Sequence, residues 1–190
     1  MKYAALVAAL LALSATAADA KDPLPAVTFG EPGYGGSGCP DGTGQVVLGF
    51  SKQAAAYVFD AYAVGDNGRA VDRKTCAIAI PVTVPDGVAV AIRTVGLRGA
   101  AKLPDGLDAT IGVELFTAGE TGEVNEIPLS GPTDTGYLRF ITIPDDQLKW
   151  SACGDDINLR VNTSVRSRGD KDGAVSLNAL SVYPLATKAC

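Results

Sequence analysis

Four cysteines give the clearest chemical signal in the sequence, and the chemistry that they indicate is oxidation to two disulfides. Three pairings are open, and we favour Cys39 with Cys76 and Cys153 with Cys190. Pairing of neighbouring cysteines closes two loops of moderate length, each contributing roughly 3 to 4 kcal/mol in the chain-entropy model. A metal site is disfavoured because the chain has no C-x-x-C pair and no histidine.

Carboxylates could act in pairs, as the acid and the nucleophile or base of a glycoside hydrolase. However, an aspartate beside Gly, Pro or Cys normally hydrogen-bonds its own backbone in a turn. That context is shared by Asp86, Asp105, Asp145, Asp146, Asp155 and Asp156. The sequence therefore assigns no catalytic residue and favours a non-enzymatic protein, with a small two-carboxylate polysaccharide hydrolase or lyase as an alternative.

The absence of histidine removes the usual general base of hydrolases. With all four cysteines oxidised, a cysteine nucleophile is also disfavoured. Residues 170–173 resemble part of a calcium loop but lack its remaining ligands. The glycine-rich stretch 33–38 lacks the strand and the helix that a phosphate site needs. We therefore predict no cofactor and no metal site.

The beginning of the chain, residues 1–20, predicts a secretory signal peptide. A positive charge at Lys2 precedes an apolar run over residues 3–13, and small residues follow up to Ala20. The run is shorter than the roughly 20 apolar residues of a membrane-spanning helix. We expect cleavage after Ala20, or alternatively after Ala17, and a secreted, extracellular protein without a membrane span.

The remaining chain of about 170 residues is enough for one domain. We divide it into a Gly/Pro-rich N-terminal segment, residues 21–44, and a single β-sandwich domain, residues 45–190. We expect the segment to be an ordered loop held by Cys39. A formal net charge of −5 and a pI near 4.7 disfavour nucleic acid and anionic membranes as partners. We expect a monomer whose partner is an extracellular protein or a glycan.

Short apolar segments with a period of two indicate an all-β protein. They predict about eight strands, at residues 46–50, 57–62, 75–84, 88–97, 109–116, 137–143, 157–165 and 175–183. Alternating apolar and polar residues favour an antiparallel β-sandwich with two disulfides, and a closed β-barrel is the alternative. Pro81 has no N–H to donate, so its strand must lie at an edge or a bulge at that point.

Several side chains are candidates for modification or for ligand contact. Asn162 begins an N-T-S sequon on the predicted solvent face of its strand, and is a candidate glycosylation site in a eukaryotic host. A carbohydrate-binding module would need tyrosines such as Tyr34, Tyr57 or Tyr137 to line one exposed face. The single tryptophan, Trp150, is expected to pack over a disulfide instead.

Five short blocks resemble the domain of unknown function 4360 family of small secreted proteins. They are GSGCP at 36–40, FDAY at 59–62, RKTC at 73–76, WSACG at 150–154 and LRVNT at 159–163. The resemblance extends from about Thr28 to Cys190. It implies a secreted single domain without an assigned activity, and it adds no catalytic residue. The chain departs from the family in lacking a tryptophan just before the last cysteine.

The function that these features favour is that of a secreted, non-enzymatic interaction protein acting at a host or cell-wall surface. Rigid, disulfide-linked loops without a general base suit binding better than catalysis. A carbohydrate-binding module and the two-carboxylate enzyme are the alternatives. The fold alone does not separate them, because one fold supports many functions.

Overall fold

The computed structural model describes residues 25–190, so the predicted signal peptide lies outside the described residues. This part of the chain contains fourteen strands and two short 3-10 helices, Phe50–Lys52 and Asp145–Gln147. In chain order the strands are β1 (Thr28–Phe29), β2 (Gly33–Gly35), β3 (Gly44–Leu48), β4 (Ala55–Phe59), β5 (Ala63–Val64), β6 (Val71–Thr83), β7 (Val88–Ala91), β8 (Thr94–Leu103), β9 (Asp108–Thr117), β10 (Val124–Ser130), β11 (Thr133–Thr142), β12 (Ile157–Arg168), β13 (Ala174–Val182) and β14 (Ala186–Ala189).

The strands form two large antiparallel sheets and a small one. Sheet A has the order β1-β6-β12-β9-β10, and β2 also pairs with β6. Sheet B has the order β11-β8-β13-β4-β3, and β5 also pairs with β13. Strands β14 and β7 form the third sheet. The predicted antiparallel β-sandwich with two disulfides is confirmed. Each large sheet has two different edge strands, so the described residues do not form the alternative closed barrel.

The core lies between sheets A and B and is built by the alternation seen in the sequence. Cys76, Ile78 and Ile80 of β6 are at most 1% exposed, as are Leu159 and Val161 of β12. Sheet B contributes side chains that are equally buried, namely Leu97, Leu177 and Leu180. Because successive strand residues point to opposite faces, every second residue of β6 and β12 enters the core, and β13 resumes this alternation after a bulge between Leu177 and Ala179. The predicted alternation is confirmed.

Pro81 lies in β6 opposite the gap between β1 and β2, where the segment beside β6 does not form a strand. Strand β1 pairs with β6 at Val82 and Thr83, and β2 pairs with it over residues 77–79. Between these two contacts, the N–H of Gly30 donates to the carbonyl of Pro81 at 2.8 Å. The N and the C=O of a strand residue point to the same side, so the missing N–H of Pro81 faces this interruption. The irregular edge expected at Pro81 is present.

Two expectations about individual segments were wrong, and one long strand was not expected. The N-terminal segment is not only a loop, because β1 and β2 extend sheet A. The predicted strand 88–97 is two strands, since the chain leaves β7 at Ile92 and enters sheet B with β8. Strand β10 was not predicted, because its first three residues are all exposed and show no alternation. A period of two does not reveal where a chain passes from one sheet to another.

Both disulfides have the pairing that the sequence favours. Cys39 bonds Cys76 with a Cα–Cα distance of 5.5 Å, and Cys153 bonds Cys190 with one of 6.1 Å. The first pair is at most 1% exposed and joins the N-terminal segment to β6. The second pair is exposed and joins the segment before β12 to the end of β14. One disulfide therefore belongs to the core and the other to the surface.

Candidate functional site

The three tyrosines that a sugar-binding face would need do not share an exposed face. Tyr57 is 1% exposed and Tyr137 is 5% exposed, and both belong to the core. Tyr34 is half-buried, and its hydroxyl donates to the carbonyl of Gly44 at 2.8 Å. Burial raises the pKa of the Tyr57 and Tyr137 hydroxyls well above the ordinary tyrosine value. Tyr57 and Tyr137 pack in the core and so do not meet this requirement of a carbohydrate-binding module.

Two exposed aromatic rings lie instead on the outer face of sheet B. Phe140 of β11 is 54% exposed and Tyr183, directly after β13, is 41% exposed. Their ring centroids are 5.9 Å apart, and the ring planes are inclined by 55°. Gly96 of β8 lies below both rings, since a Cβ there would come within 3.1 Å of Tyr183 and 3.2 Å of Phe140. The absence of a side chain at Gly96 leaves room for the pair.

Two rows of residues in register continue from these rings across the outer face of sheet B. The first row consists of Phe140, Gly96, Ser181, Ala56 and Val47. The second row consists of Leu138, Arg98, Ala179, Val58 and Gln45. We call these two rows together with Tyr183 the sheet B platform. Small residues occupy the middle strands of the first row, whereas the second row has Arg98 and Val58 there. Exposed apolar side chains lie at both ends of the platform, namely Phe140 and Leu138 on β11 and Val47 on β3.

A polar groove of about 380 Å³ lies on the outer face of sheet A. Asn162 is half-buried there, and its Nδ2 donates to Oε2 of Glu114 at 2.9 Å. Arg73 and Ser164 also line the groove. Asn162 thus points to the outer face as expected, and its glycosylation stays a prediction. A glycan would replace one N–H of the amide and occupy this groove.

An apolar cleft of about 330 Å³ opens between the sheets at one end of the sandwich. Aliphatic side chains form most of its walls, namely Val90, Ile92, Leu115, Ile141, Ile143, Ile157 and Leu159, and Phe116, Thr117 and Thr142 also line it. Exposed polar residues surround its opening, namely Glu120, Glu123, Asn125, Gln147 and Lys149. These residues could not be recognised as a site from the sequence, because the glutamates lie in the turn before β10, the strand that was not predicted.

Two of the six turn aspartates form contacts that stabilise the fold. Asp156 Oδ1 accepts a hydrogen bond from Val84 N at 2.9 Å, and Asp145 forms an ion pair with Arg93 at 2.7 Å. None of the six aspartates considered above lines the apolar cleft. Within residues 25–190, no three metal-ligating side chains are close enough to hold a metal ion. In the same residues, no helix has the length and apolar composition of a membrane span.

Trp150 is half-buried and contacts a lysine of β14. The Nζ atom of Lys188 lies 4.3 Å from the centroid of its ring, which is a cation–π distance. Lys188 precedes Cys190 by two residues, so the tryptophan lies beside the strand that the second disulfide joins to Cys153. Packing of the ring directly over the disulfide stays a prediction.

Comparison with known sequences decides the family. The family described as Domain of unknown function (DUF4360) matches residues 26–189. The chain belongs to the DUF4360 family. The resemblance carried by the five short blocks is therefore confirmed over nearly the whole described chain.

One known sequence and one solved structure are similar to this DUF4360 chain. An uncharacterized secreted protein of Arthroderma benhamiae is 32% identical over 138 residues, which are 70% of this chain. The chain spans only 56% of the length of that relative. Among solved structures, TmCBM61 in complex with beta-1,4-galactotriose matches 86% of this chain and 91% of its own, with 12% identity and a TM-score of 0.34. A TM-score that low supports no conclusion about ligands. The secreted relative and the two disulfides confirm the predicted secreted, extracellular location.

Proposed function

We propose that this DUF4360 protein is a non-enzymatic extracellular interaction protein that binds its partner through the sheet B platform. The observation that carries the proposal is the exposure of Phe140 and Tyr183 side by side on a sheet face. Apolar surface of this kind is unfavourable in water, and contiguous apolar patches on secreted globular proteins are typical of interaction sites.

The backbone below the platform supports binding at low entropic cost. Strand β8 is paired along most of its length with β11 on one side and β13 on the other. The backbone of such a paired strand is already ordered, so binding need not order it. Aromatic rings add to this, since they offer a large contact area with only two rotatable bonds.

A carbohydrate-binding module is the second candidate, favoured by the mixture of rings and donors on the platform. Phe140 and Tyr183 offer ring faces against which a sugar could stack. Arg98 and Gln45, in the next row, carry N–H groups that could donate to sugar hydroxyls. Five strands spaced by about 4.8 Å make the face about 19 Å wide, which is enough for an extended oligosaccharide.

The two-carboxylate enzyme is not favoured by the apolar cleft. Glu120 and Glu123 lie at its opening, but the walls below them are mostly aliphatic, with Thr117 and Thr142 as small polar side chains among them. A glycosidase must hold the hydroxyls of a sugar between its carboxylates, which requires polar groups in the walls. The arrangement therefore supports binding rather than polysaccharide hydrolysis.

Alanine substitutions on the platform test the proposal. The double variant Phe140→Ala/Tyr183→Ala removes both rings, and Val124→Ala, an exposed side chain of sheet A, is the matched control. Each protein is tested for saturable retention on cell-wall polysaccharides and for co-purification with surface-protein extracts. We expect the double variant to bind at least about tenfold more weakly, as truncation of aromatic anchors usually does.

The identity of the retained ligand separates the two candidates. Retention on a polysaccharide that the double variant loses supports the carbohydrate-binding module. Capture of a specific surface protein, lost in the same variant, supports a protein partner. Equal binding by the wild type and the double variant would show that the platform is not the binding surface and would overturn the proposal.

A further inference from the structure

The apolar cleft shares no residue with the sheet B platform and is an unfilled part of the core. Leu115 and Leu159 reach it from sheet A, and Ile141 reaches it from sheet B. Leu159 is 1% exposed and Leu115 is 8% exposed, so the walls are core side chains rather than surface ones. The volume of about 330 Å³ lies at the lower end of the range for small-molecule sites.

The chemistry of the walls selects an apolar occupant. Aliphatic side chains offer water no hydrogen-bond partners, so water molecules in the cleft are easily displaced. A sugar would lose more hydrogen bonds to its hydroxyls there than Thr117 and Thr142 could replace. An alkyl chain or an aromatic ring would gain both the release of this water and dispersion contacts with the walls.

Two glutamates are held at the opening by a tight turn that follows β9. The N–H of Glu120 donates to the carbonyl of Thr117 at 2.9 Å, which closes the turn. Gly122 lies so close to the end of β9 that a Cβ there would approach the carbonyl oxygen of Leu115 to 2.5 Å. The turn is thereby folded back toward the walls, and Glu120 and Glu123 both line the opening.

The opening carries a net negative charge. Lys149 is the cation among the residues that line the cleft, and its Nζ donates to the carbonyl of Thr121 at 3.2 Å. Thr121 lies between the two glutamates in sequence, so the ammonium offsets one of the two carboxylates. One net negative charge remains at the opening of an apolar cleft. This combination is complementary to a molecule with an apolar body and a positive head.

We propose that the cleft binds a small amphiphile with an aliphatic or aromatic body and a protonated amine head. The body lies between the sheets against Leu115, Leu159 and Ile141. The amine lies at the opening, where the carboxylates of Glu120 and Glu123 accept its hydrogen bonds. This site is independent of the platform and does not require the partner proposed above.

Three probes with the same alkyl chain separate the contributions of body and head. Octylammonium, octanol and octanoate are titrated into the secreted protein, with binding followed by calorimetry and by the methyl NMR shifts of Ile141 and Leu159. We expect octylammonium to bind most tightly, octanol less tightly and octanoate most weakly. Saturable shifts of the cleft methyl groups place the alkyl body between the sheets.

Substitutions at the opening test the role of charge. In Glu120→Gln/Glu123→Gln we expect the affinity for octylammonium to fall about fivefold to tenfold, with octanol unaffected, because only the ammonium forms charge-assisted hydrogen bonds. Glu126→Gln, an exposed glutamate of β10 that does not line the cleft, is the matched control. Both substitutions are on the surface, so folding is not expected to change.

Two results would overturn the proposal. One is the absence of any saturable shift of the cleft methyl groups with octylammonium. The other is binding of octanoate as tight as that of octylammonium. The platform variant Phe140→Ala/Tyr183→Ala should bind octylammonium as the wild type does, so that failure of one proposal does not imply failure of the other.

Discussion

The hydroxyl of Tyr62 lies 3.1 Å from Oγ1 of Thr163 in the core of the sandwich. The Thr163 hydroxyl in turn donates to the carbonyl of Cys76 at 3.2 Å, so it accepts its other hydrogen bond from the tyrosine. Both side chains are at most 3% exposed. The pair explains why one threonine lies among the apolar residues of the inner face of β12.

Thr163→Val should destabilise the protein by about 1 to 2 kcal/mol, because the buried Tyr62 hydroxyl loses its nearer partner and keeps the Lys74 carbonyl at 3.5 Å. Adding Tyr62→Phe should cost less than the sum of the single changes, since no unpaired hydroxyl then remains. Urea unfolding measures both effects. Thr135→Val, at an exposed position of β11, is the control, and a fully additive double variant would contradict the expected coupling.

Gly38 lies against the ring of Tyr62, and a Cβ at this glycine would approach the ring to 2.3 Å. Gly38→Ala should therefore destabilise the protein by roughly 2 kcal/mol or more, through displacement of a core ring. Gly33→Ala is the matched control, because nothing lies within 4 Å of a Cβ at that position. Thermal unfolding would count against this packing if both alanine variants melted at the same temperature.

Stability should fall at alkaline pH because of buried tyrosines. Burial raises the pKa of Tyr62 from the ordinary 10.0 to about 12, against a smaller lowering by its hydrogen bond to Thr163. The unfolded chain releases this proton near pH 10 and the folded chain near pH 12, so folding retains a proton between these values. The contribution of Tyr62 to the free energy of unfolding is fully present below pH 10 and is lost as pH rises toward 12.

Tyr57 and Tyr137, whose pKa values burial also raises, act in the same direction. The measurement is the free energy of unfolding as a function of pH, together with tyrosinate absorbance of the folded protein. Tyr62→Phe is the control and should show a shallower loss. Ionisation of all tyrosines near pH 10 without unfolding would be incompatible with their burial.

The two disulfides form a matched pair, because each joins cysteines separated by 37 residues. Loop closure should therefore contribute about 4 kcal/mol in both cases. Cys39→Ser/Cys76→Ser should cost more than Cys153→Ser/Cys190→Ser, since it also places two hydroxyls in the core. Graded reduction followed by thiol labelling should modify Cys153 and Cys190 first. Labelling of Cys39 before Cys153 would contradict the difference in burial.

The strands of the core could be predicted from the sequence where burial alternates. Ile78 and Ile80 of β6, and Leu159 and Val161 of β12, enter the core while their neighbours remain at the surface, and this pattern is visible as a period of two. In β10, the edge strand of sheet A, this alternation of buried and exposed residues is absent from the first three residues. Val124 of β10 is 61% exposed although it belongs to a strand, because its register with Glu114 places its side chain on the outer face of the sheet.

The candidate site could not be predicted, because it depends on the order of strands in the sheet. Phe140 lies in a segment that looks like a core strand, and only the register with Gly96 shows that its ring lies on the outer face. Tyr57 has a similar local pattern but points inward. Periodicity shows that a strand has two faces, whereas the choice of the exposed face follows from contacts between residues far apart in sequence.

The order of strands in sheet A also constrains how the protein folds while it is exported. Strand β6 pairs with β12, with Val82 opposite Ile157 at one end and Val71 opposite Arg168 at the other. Strand β12 is therefore synthesised many residues after β6. Contacts between residues so far apart in sequence form slowly, because a long loop must close first. The edge of β6 that β12 later covers is therefore unpaired until residue 168 has been synthesised. Over that interval its free N–H and C=O groups can pair with another chain, which is when aggregation competes most with folding.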